Sequence, residues 1–166
     1  MGSKQGNLKS RYVVVPRTLI FLFHEEKILL LEGSKQKRLF PGYWNGIGGH
    51  VERDEDIQSA ALRELKEEAG IQPDRLSLVG VFNIDVEEKR GVCVFIFRGV
   101  FPTGKLPPTI CSPEGKSAWI DREEISHLNL VPDLLEILPR VIHHKDGDDP
   151  FFIFHKEGEE EVSNEK

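Results

Sequence analysis

GHVERDEDIQSAALRELKEEAGI, residues 49–71, carries the clearest helix signal in the chain. Ile57, Ala61, Leu62, Leu65 and Ala69 recur three and four apart, which predicts a helix over residues 56–69 with one apolar side. Gly70 stands just past the last turn, where a left-handed residue ends a helix. Glu64, Glu67 and Glu68 also stand three and four apart, so they fall within an arc of roughly 100°. Arg63 precedes Glu67 by four residues and can brace its carboxylate. Three like charges on one turn repel, so the helix gains nothing from them alone. A run such as Lys66-Glu67-Glu68 by itself is usually a solvated face. The other reading is a site for a hard cation such as Mg²⁺, which takes oxygen ligands and keeps some of its waters for exchange with substrate phosphates. The Gly-rich segment NGIGGHVE, residues 45–52, lies immediately upstream and would flank such a site.

The register of Gly49, Glu55, Arg63, Glu64, Leu65, Glu67, Glu68, Gly70 and Ile71 resembles the signature box of the Nudix hydrolase superfamily at every defined position. A chance match of this kind is on the order of one in 10⁸ for a chain of this length. The resemblance implies a Nudix-type αβα sandwich, an α/β (α+β) fold with a mixed sheet. It also implies water attack on a nucleoside diphosphate linked to a further group, with Mg²⁺ as cofactor and Mn²⁺ able to substitute. Carried over by position, Glu64, Glu67 and Glu68 would be metal ligands, joined by the Gly48 carbonyl. Glu67 is assigned as the base and Glu64 as its catalytic companion. Gly49, Glu55, Arg63 and Gly70 would be structural, with Glu55 and Arg63 tying loop to helix.

The flanks resemble the MutT-like branch, which acts on oxidised purine nucleotides such as 8-oxo-dGTP. Trp44-Asn45-Gly46 matches the branch's entry to the box, where the asparagine contacts the base. An amide can meet a purine edge, but Asn-Gly is equally a turn signal. Where the branch carries a lysine, this chain has His50. Glu114, five residues before Trp119, falls where the branch supplies another metal ligand; alone it is an exposed turn residue. Asp133 falls at a base-reading acidic position, although an aspartate after Pro132 also suits the first turn of a helix. Lys35, Lys37 and Arg38 could meet phosphates, with Phe40 or Trp44 stacking on the base, or the loop could simply be solvated.

Around the box the element order is strand over 12–23, strand over 27–33, the helix, a hairpin of 76–86 and 91–101, a short strand at 117–120, a helix over 131–142 broken near Pro139, and a last strand at 150–154. Pro16 makes the first half of the first strand an edge or a bend. Helices on the faces of a mixed sheet follow from this order. The 166 residues suit one domain, residues 11–156, between a flexible N-terminus (1–10) and a charged flexible tail (157–166).

Residues 1–10 are polar, which argues against a secretory leader, and no apolar run is long enough to span a membrane. Two cysteines, Cys93 and Cys111, suit a reducing cytoplasm. A net charge of −6 argues against binding a nucleic-acid polymer. The expected partner is a small nucleotide, with the chain a monomer or homodimer. A nucleoside triphosphate cleaved to monophosphate and pyrophosphate is the first expectation. Hydrolysis of ADP-ribose, a nucleotide-sugar or a dinucleoside polyphosphate is the second; the proline or tyrosine marking such enzymes is absent where Glu87 and Glu88 stand. A non-catalytic nucleotide-binding module is the third, and such modules usually lose box carboxylates that this chain keeps.

Overall fold

The computed structural model describes residues 11–102 and 104–157. The expected N-terminal segment, 1–10, and residues 158–166 of the expected tail lie outside the described residues. Strand β1 (Val13–His24) is half-exposed in its first half and buried on both faces in its second. Burial on both faces is what an uninterrupted apolar run in a central strand requires. The sheet runs β6 (Cys111–Ser112), β7 (Gly115–Asp121), β2 (Lys27–Gly33), β1, β5 (Arg90–Val100), β4 (Ser77–Glu87), β8 (Phe151–Lys156), with β3 (Trp44–Asn45) paired on β2. The β1–β5 and β4–β8 pairs are parallel and the others antiparallel, so the sheet is mixed.

The two faces of β1 feed two cores. Ile20 and Leu22 pack with Leu29, Leu31, Ile47 and Phe97 under helix α1 (Ile57–Ala69), which contributes Ala61 and Leu65. Leu19, Phe21 and Phe23 pack with Ile28, Leu30 and Phe82 under helix α2 (Leu134–His143), which contributes Leu134, Ile137 and Val141. Each such side chain removed from water stabilises the fold by roughly 1.5–3 kcal/mol before entropy is counted. The result is the expected helix–sheet–helix sandwich. Among the described residues no helix is long and apolar enough to cross a membrane.

One irregularity positions everything that follows. β1 and β2 pair at only two positions, Phe23 with Ile28 and His24 with Lys27, and then diverge. β2 continues against β3, pairing Leu31 with Asn45 and Glu32 with Trp44. β1 instead takes the glycine loop as its neighbour: Ile20 N–H donates to Ile47 O at 2.7 Å, Thr18 N–H to Gly49 O at 2.8 Å, and Val51 N–H to Pro16 O at 3.1 Å. The loop is wedged into the opening of the sheet.

Several expectations need correction. Of the two readings of Pro16, the edge fits: it stays in register with Cys93 of β5, and on its other side, where β2 no longer pairs, its carbonyl is taken by the loop. The second helix begins at Leu134 rather than 131, because Val131-Pro132-Asp133 form its entry turn, closed by Leu134 N–H to Val131 O. Pro139 does not break it. A proline removes the bond to the carbonyl four residues back, and that residue, Leu135, is 69% exposed, where water can satisfy it. The short strand β6 and a 3-10 turn over Arg122–His127 carry no periodic signal and escape sequence reading. The last strand is real, extends to Lys156 and forms the sheet edge.

Candidate active site

The local sequence fixes where α1 starts and stops. Asp56 caps it, its Oδ1 accepting from Gln58 N–H and Ser59 N–H, both at 2.9 Å. Gly70 adopts φ 65° in the left-handed region and its N–H returns to Lys66 O, while Ile71 N–H reaches Leu65 O. Thirteen residues therefore lie between two firm ends, and the carboxylate spacing acquires a fixed direction toward the glycine loop.

That loop sits so close to its neighbours that two positions leave no space for a side chain. A Cβ on Gly48 would stand 2.1 Å from the Thr18 carbonyl oxygen, and one on Gly49 would stand 2.3 Å from Glu64 Oε1. The near contact of Gly49 with Glu64 puts loop backbone and helix carboxylate side by side. Glu68 completes the link: its Oε2 accepts from Gly48 N–H at 3.2 Å.

Arg63 gathers the acidic groups. Its Nη2 and Nε bind Glu55 Oε1 and Oε2 at 2.7 and 3.1 Å, its Nη2 also donates to His50 O at 2.9 Å, and its Nη1 reaches Glu64 Oε1 at 2.8 Å and Glu67 Oε2 at 3.4 Å. The Arg63 hydrogen bond and the Glu52 N–H hold the Glu55 carboxyl below its ordinary value. His50, whose side chain is exposed, thus contributes its backbone carbonyl.

The three helix glutamates end in different surroundings. Glu67 is open to solvent, with 60% of its side chain exposed. Glu64 is largely covered and paired with Arg63. Glu68 is 3% exposed, and its pKa is pushed up to about 7, chiefly by burial and further by the Glu64 and Glu114 carboxylates, against the pull of Gly48 N–H and Lys37. Glu114 thus lies within electrostatic reach of Glu68, in the turn between β6 and β7, where Lys37 Nζ pairs with it at 2.8 Å.

The donor chemistry suits a divalent metal: carboxylate oxygens and loop carbonyls, with one buried carboxylate whose charge is disfavoured until a cation stands nearby. Among the described residues no three acidic, histidine or cysteine side chains are grouped tightly enough to enclose an ion as they stand. Arg63 engages Glu64, and Lys37 engages Glu114. Gly48, Glu64, Glu67, Glu68 and Glu114 are the residues that could hold the metal.

The other sequence-selected residues lie on β3, in the loop before it and in the entry turn of α2. Trp44 N–H donates to Asn129 O at 2.8 Å and Val131 N–H to Trp44 O at 3.0 Å, so β3 is stitched to the entry turn of α2. Trp44 bridges in parallel with Leu130, which sets Asn45 alongside Val131, two residues before Asp133. Asn45 Oδ1 accepts from Gly46 N–H at 2.8 Å, so the residue also serves the turn. Trp44 is half-buried against the α2 core. Phe40, in the left-handed region at φ 51°, is exposed and rests on Tyr43 with ring centroids 5.6 Å apart. Lys35 and Arg38 are exposed in the same loop, and of its basic residues Lys37 is the one joined to the acidic cluster.

Asp133 does not cap α2 through its side chain. Burial pushes its carboxyl above the ordinary aspartate value, with Glu136 adding to the rise and His155 opposing it. His155, on β8, binds Glu136 Oε2 through Nε2 at 2.8 Å and stands 3.8 Å from Asp133 Oδ1 through Nδ1, its ring edge-on to Phe82. Neither His155 nor Glu136 was singled out from the sequence; the strand pairing of β8 with β4 brings the histidine there, and no local pattern marks it.

The description "NUDIX domain" fits residues 14–141. The oxidized purine nucleoside triphosphate hydrolase of Mus musculus is 33% identical over 129 residues, 77% of this chain and 80% of that protein. The enzyme of the same description from Danio rerio is 31% identical over the same shares. Among solved structures, a MutT protein from Bacillus halodurans is 26% identical with TM-score 0.68, covering 86% of this chain and 90% of its own. The NUDIX domain of Shewanella oneidensis NrtR, complexed with ADP ribose, shares the fold at 15% identity and TM-score 0.68, over 86% of this chain and 97% of its own.

Proposed function

This chain belongs to the NUDIX family, and from that premise we propose that it cleaves a nucleoside triphosphate, preferentially an oxidised purine one, to the monophosphate and pyrophosphate. The observation that carries the reaction is the Glu68–Gly48 link, which seats a buried carboxylate beside Glu64, Glu114 and the glycine loop. The similarity to the mouse and zebrafish enzymes supports the oxidised purine as substrate.

Gly48 O, Glu64, Glu67, Glu68 and Glu114 would hold Mg²⁺, or Mn²⁺ in its place. When bound, the cation supplies neutralisation of charge on the phosphate oxygens and makes water a better nucleophile. Glu67 is the most exposed of the three helix carboxylates and has one long contact with Arg63, so it is the group best able to take the proton from attacking water. The water oxygen forms a bond to phosphorus as the bridging phosphorus–oxygen bond breaks, and pyrophosphate leaves with the bridging electron pair. Arg63 orients Glu64 and ties the loop to the helix through Glu55 and His50 O.

At the other end of the substrate, the Asn45 amide and the Asp133 carboxyl read the base edge. Burial pushes the Asp133 carboxyl above its ordinary value, in the direction of the protonated form, which can donate a hydrogen bond to a base edge where the ionised form cannot. Phe40 would stack on the base, a reading its exposure supports, with Trp44 as the wall and Lys35 meeting the phosphates. The cytoplasm is the setting we assign, where Cys93 and Cys111 remain free thiols.

Hydrolysis is measured with Mg²⁺ on 8-oxo-dGTP, unoxidised triphosphates, ADP-ribose and dinucleoside polyphosphates, with products identified. The expected result is pyrophosphate and an oxidised purine monophosphate. Turnover of ADP-ribose alone, to two monophosphate products, would overturn the assignment.

A further inference from the structure

A second cluster of polar groups lies away from the glutamate helix. Between the turn that follows α2 and the facing ends of β4 and β5, a cleft of about 350 Å³ opens, a size suited to small ligands. Arg75, Arg98, His144 and Lys145 are among its lining residues. Among the described residues, four buried side-chain polar atoms have no hydrogen-bond partner, and two of them, Arg98 Nε and His144 Nε2, belong to residues that line this cleft. Unsatisfied buried polar atoms are rare and costly; the Arg98 Nε–H calls for an acceptor, and the His144 ring nitrogen can serve the same acceptor in the tautomer that places its proton there.

Arg98 is held in place. Its guanidinium lies over the Phe23 ring, 4.6 Å from the centroid, a cation–π contact that anchors it. Among the described residues it makes no ion pair. Asp74, Asp146 and Asp148 also line the cleft but are exposed at its rim, whereas Arg98 and His144 are half-buried at its floor. The floor thus carries a cation, while the exposed rim mixes Asp74, Asp146 and Asp148 with Arg75 and Lys145, a pattern that suits a small anion better than a long polyanion. A fixed guanidinium beside a second nitrogen donor is the arrangement that recognises an oxyanion with several acceptor oxygens.

The cleft is separate from the active site. Phe23, beneath Arg98, belongs to the α2 core, while the glutamates stand on α1 across the sheet. Along β1, Phe23 is five residues beyond Thr18, the neighbour of Gly48, or about 17 Å. The geometry points to a second ligand site that takes a small phosphate-type anion, with Arg98 and His144 donating at its floor and Arg75 and Lys145 at its rim.

The test titrates inorganic phosphate into the full chain, with EDTA present and ionic strength held constant, following binding by amide chemical shifts. Saturable binding is expected, with shifts at Arg98, Gly99 and His144. Arg98→Gln should weaken it at least ~10-fold and His144→Phe at least ~3-fold, values typical of losing one charged or one neutral hydrogen bond, while Glu64→Gln leaves it unchanged. Absence of saturable binding overturns the site, as does binding lost in Glu64→Gln but kept in Arg98→Gln. Acetate binding as tightly as phosphate overturns the choice of anion. Should Arg98→Gln fail to fold, the double variant Arg75→Ala/Lys145→Ala, confined to exposed positions, serves beside His144→Phe; phosphate binding undiminished in both overturns the proposal.

Discussion

Arg63 grips Glu55 with two hydrogen bonds, Nη2 to Oε1 at 2.7 Å and Nε to Oε2 at 3.1 Å, and so clamps the segment before α1 to the helix itself. A planar fork meeting a carboxylate cannot be reproduced by an ammonium group. Arg63→Lys therefore keeps the charge but loses the clamp and the bond to His50 O. We expect a fall in melting temperature of about 3 °C, the shift for a loss on the order of 1 kcal/mol in a domain of this size, together with a fall in kcat of at least ~10-fold for a misplaced Glu64. Calorimetry and steady-state kinetics on one preparation decide this. An unchanged kcat would mean that the clamp does not serve the site.

Glu68 links stability to pH. Its ordinary pKa of 4.5 is raised to about 7 in the folded chain. Between those values the folded state holds the proton more tightly than the unfolded chain does, so stability falls as pH rises and levels off above about 7. The fall attributable to this group is on the order of 3 kcal/mol. Glu68→Gln should abolish that part of the slope in urea unfolding with EDTA, compared at about pH 5 and about pH 8. Added Mg²⁺ should stabilise the wild-type chain most at the higher pH. An equal pH slope in the variant would show that Glu68 is not the group responsible.

The two loop glycines should fail in different ways. A methyl on Gly48 meets the backbone oxygen of Thr18, which cannot move without unseating β1, whereas a methyl on Gly49 meets the free end of the Glu64 side chain. Gly49→Ala is predicted to stay folded and lose activity as Glu64 is displaced, roughly 100-fold for a misplacement near 1 Å. Gly48→Ala is predicted to lose melting temperature as well. Circular dichroism melts of both variants, read beside their kcat, test the contrast; equal melting temperatures would contradict it.

Substrate choice should depend on Asp133 and its histidine neighbour. Asp133→Asn removes the ionisable group but keeps the shape, and should change the ratio of kcat/KM for 8-oxo-dGTP over dGTP by about 10-fold, the worth of one base-edge hydrogen bond. His155→Phe, removing the contacts to Glu136 and Asp133, should shift the same ratio by releasing both carboxylates. Ratios identical to wild type in both variants would assign the base to other residues.

How far the chain could be read depends on how local each cause is. Gly70 and the apolar spacing before it act within one helix, so α1 was legible to within one residue: expected from 56, it begins at Ile57 because Asp56 stands outside it as the cap. The hairpin of β4 and β5 followed from a charged turn between two alternating segments. Less local causes were hidden. Pro139 read as a break because the sequence does not say that Leu135, whose carbonyl loses its helix partner, is exposed. Glu114 could be selected by its place before Trp119, but its pairing with Lys37 depends on two loops meeting at the end of β2. His155 lies 22 positions after Asp133 and reaches it through the parallel pairing of β8 with β4, a relationship no spacing rule contains.

The wedge between β1 and β2 also sets where this chain can change length. Because residues 47–51 are in hydrogen-bond register with Pro16, Thr18 and Ile20, adding or deleting one of them slips the loop against the strand and carries the site with it. The neighbouring loop, residues 34–43, is tied down at Gly33–Tyr43 and elsewhere mostly exposed, so it can grow or shrink between fixed ends. Length variation that alters substrate preference is thereby confined to one side of the site, while the other side is held to an invariant count of residues.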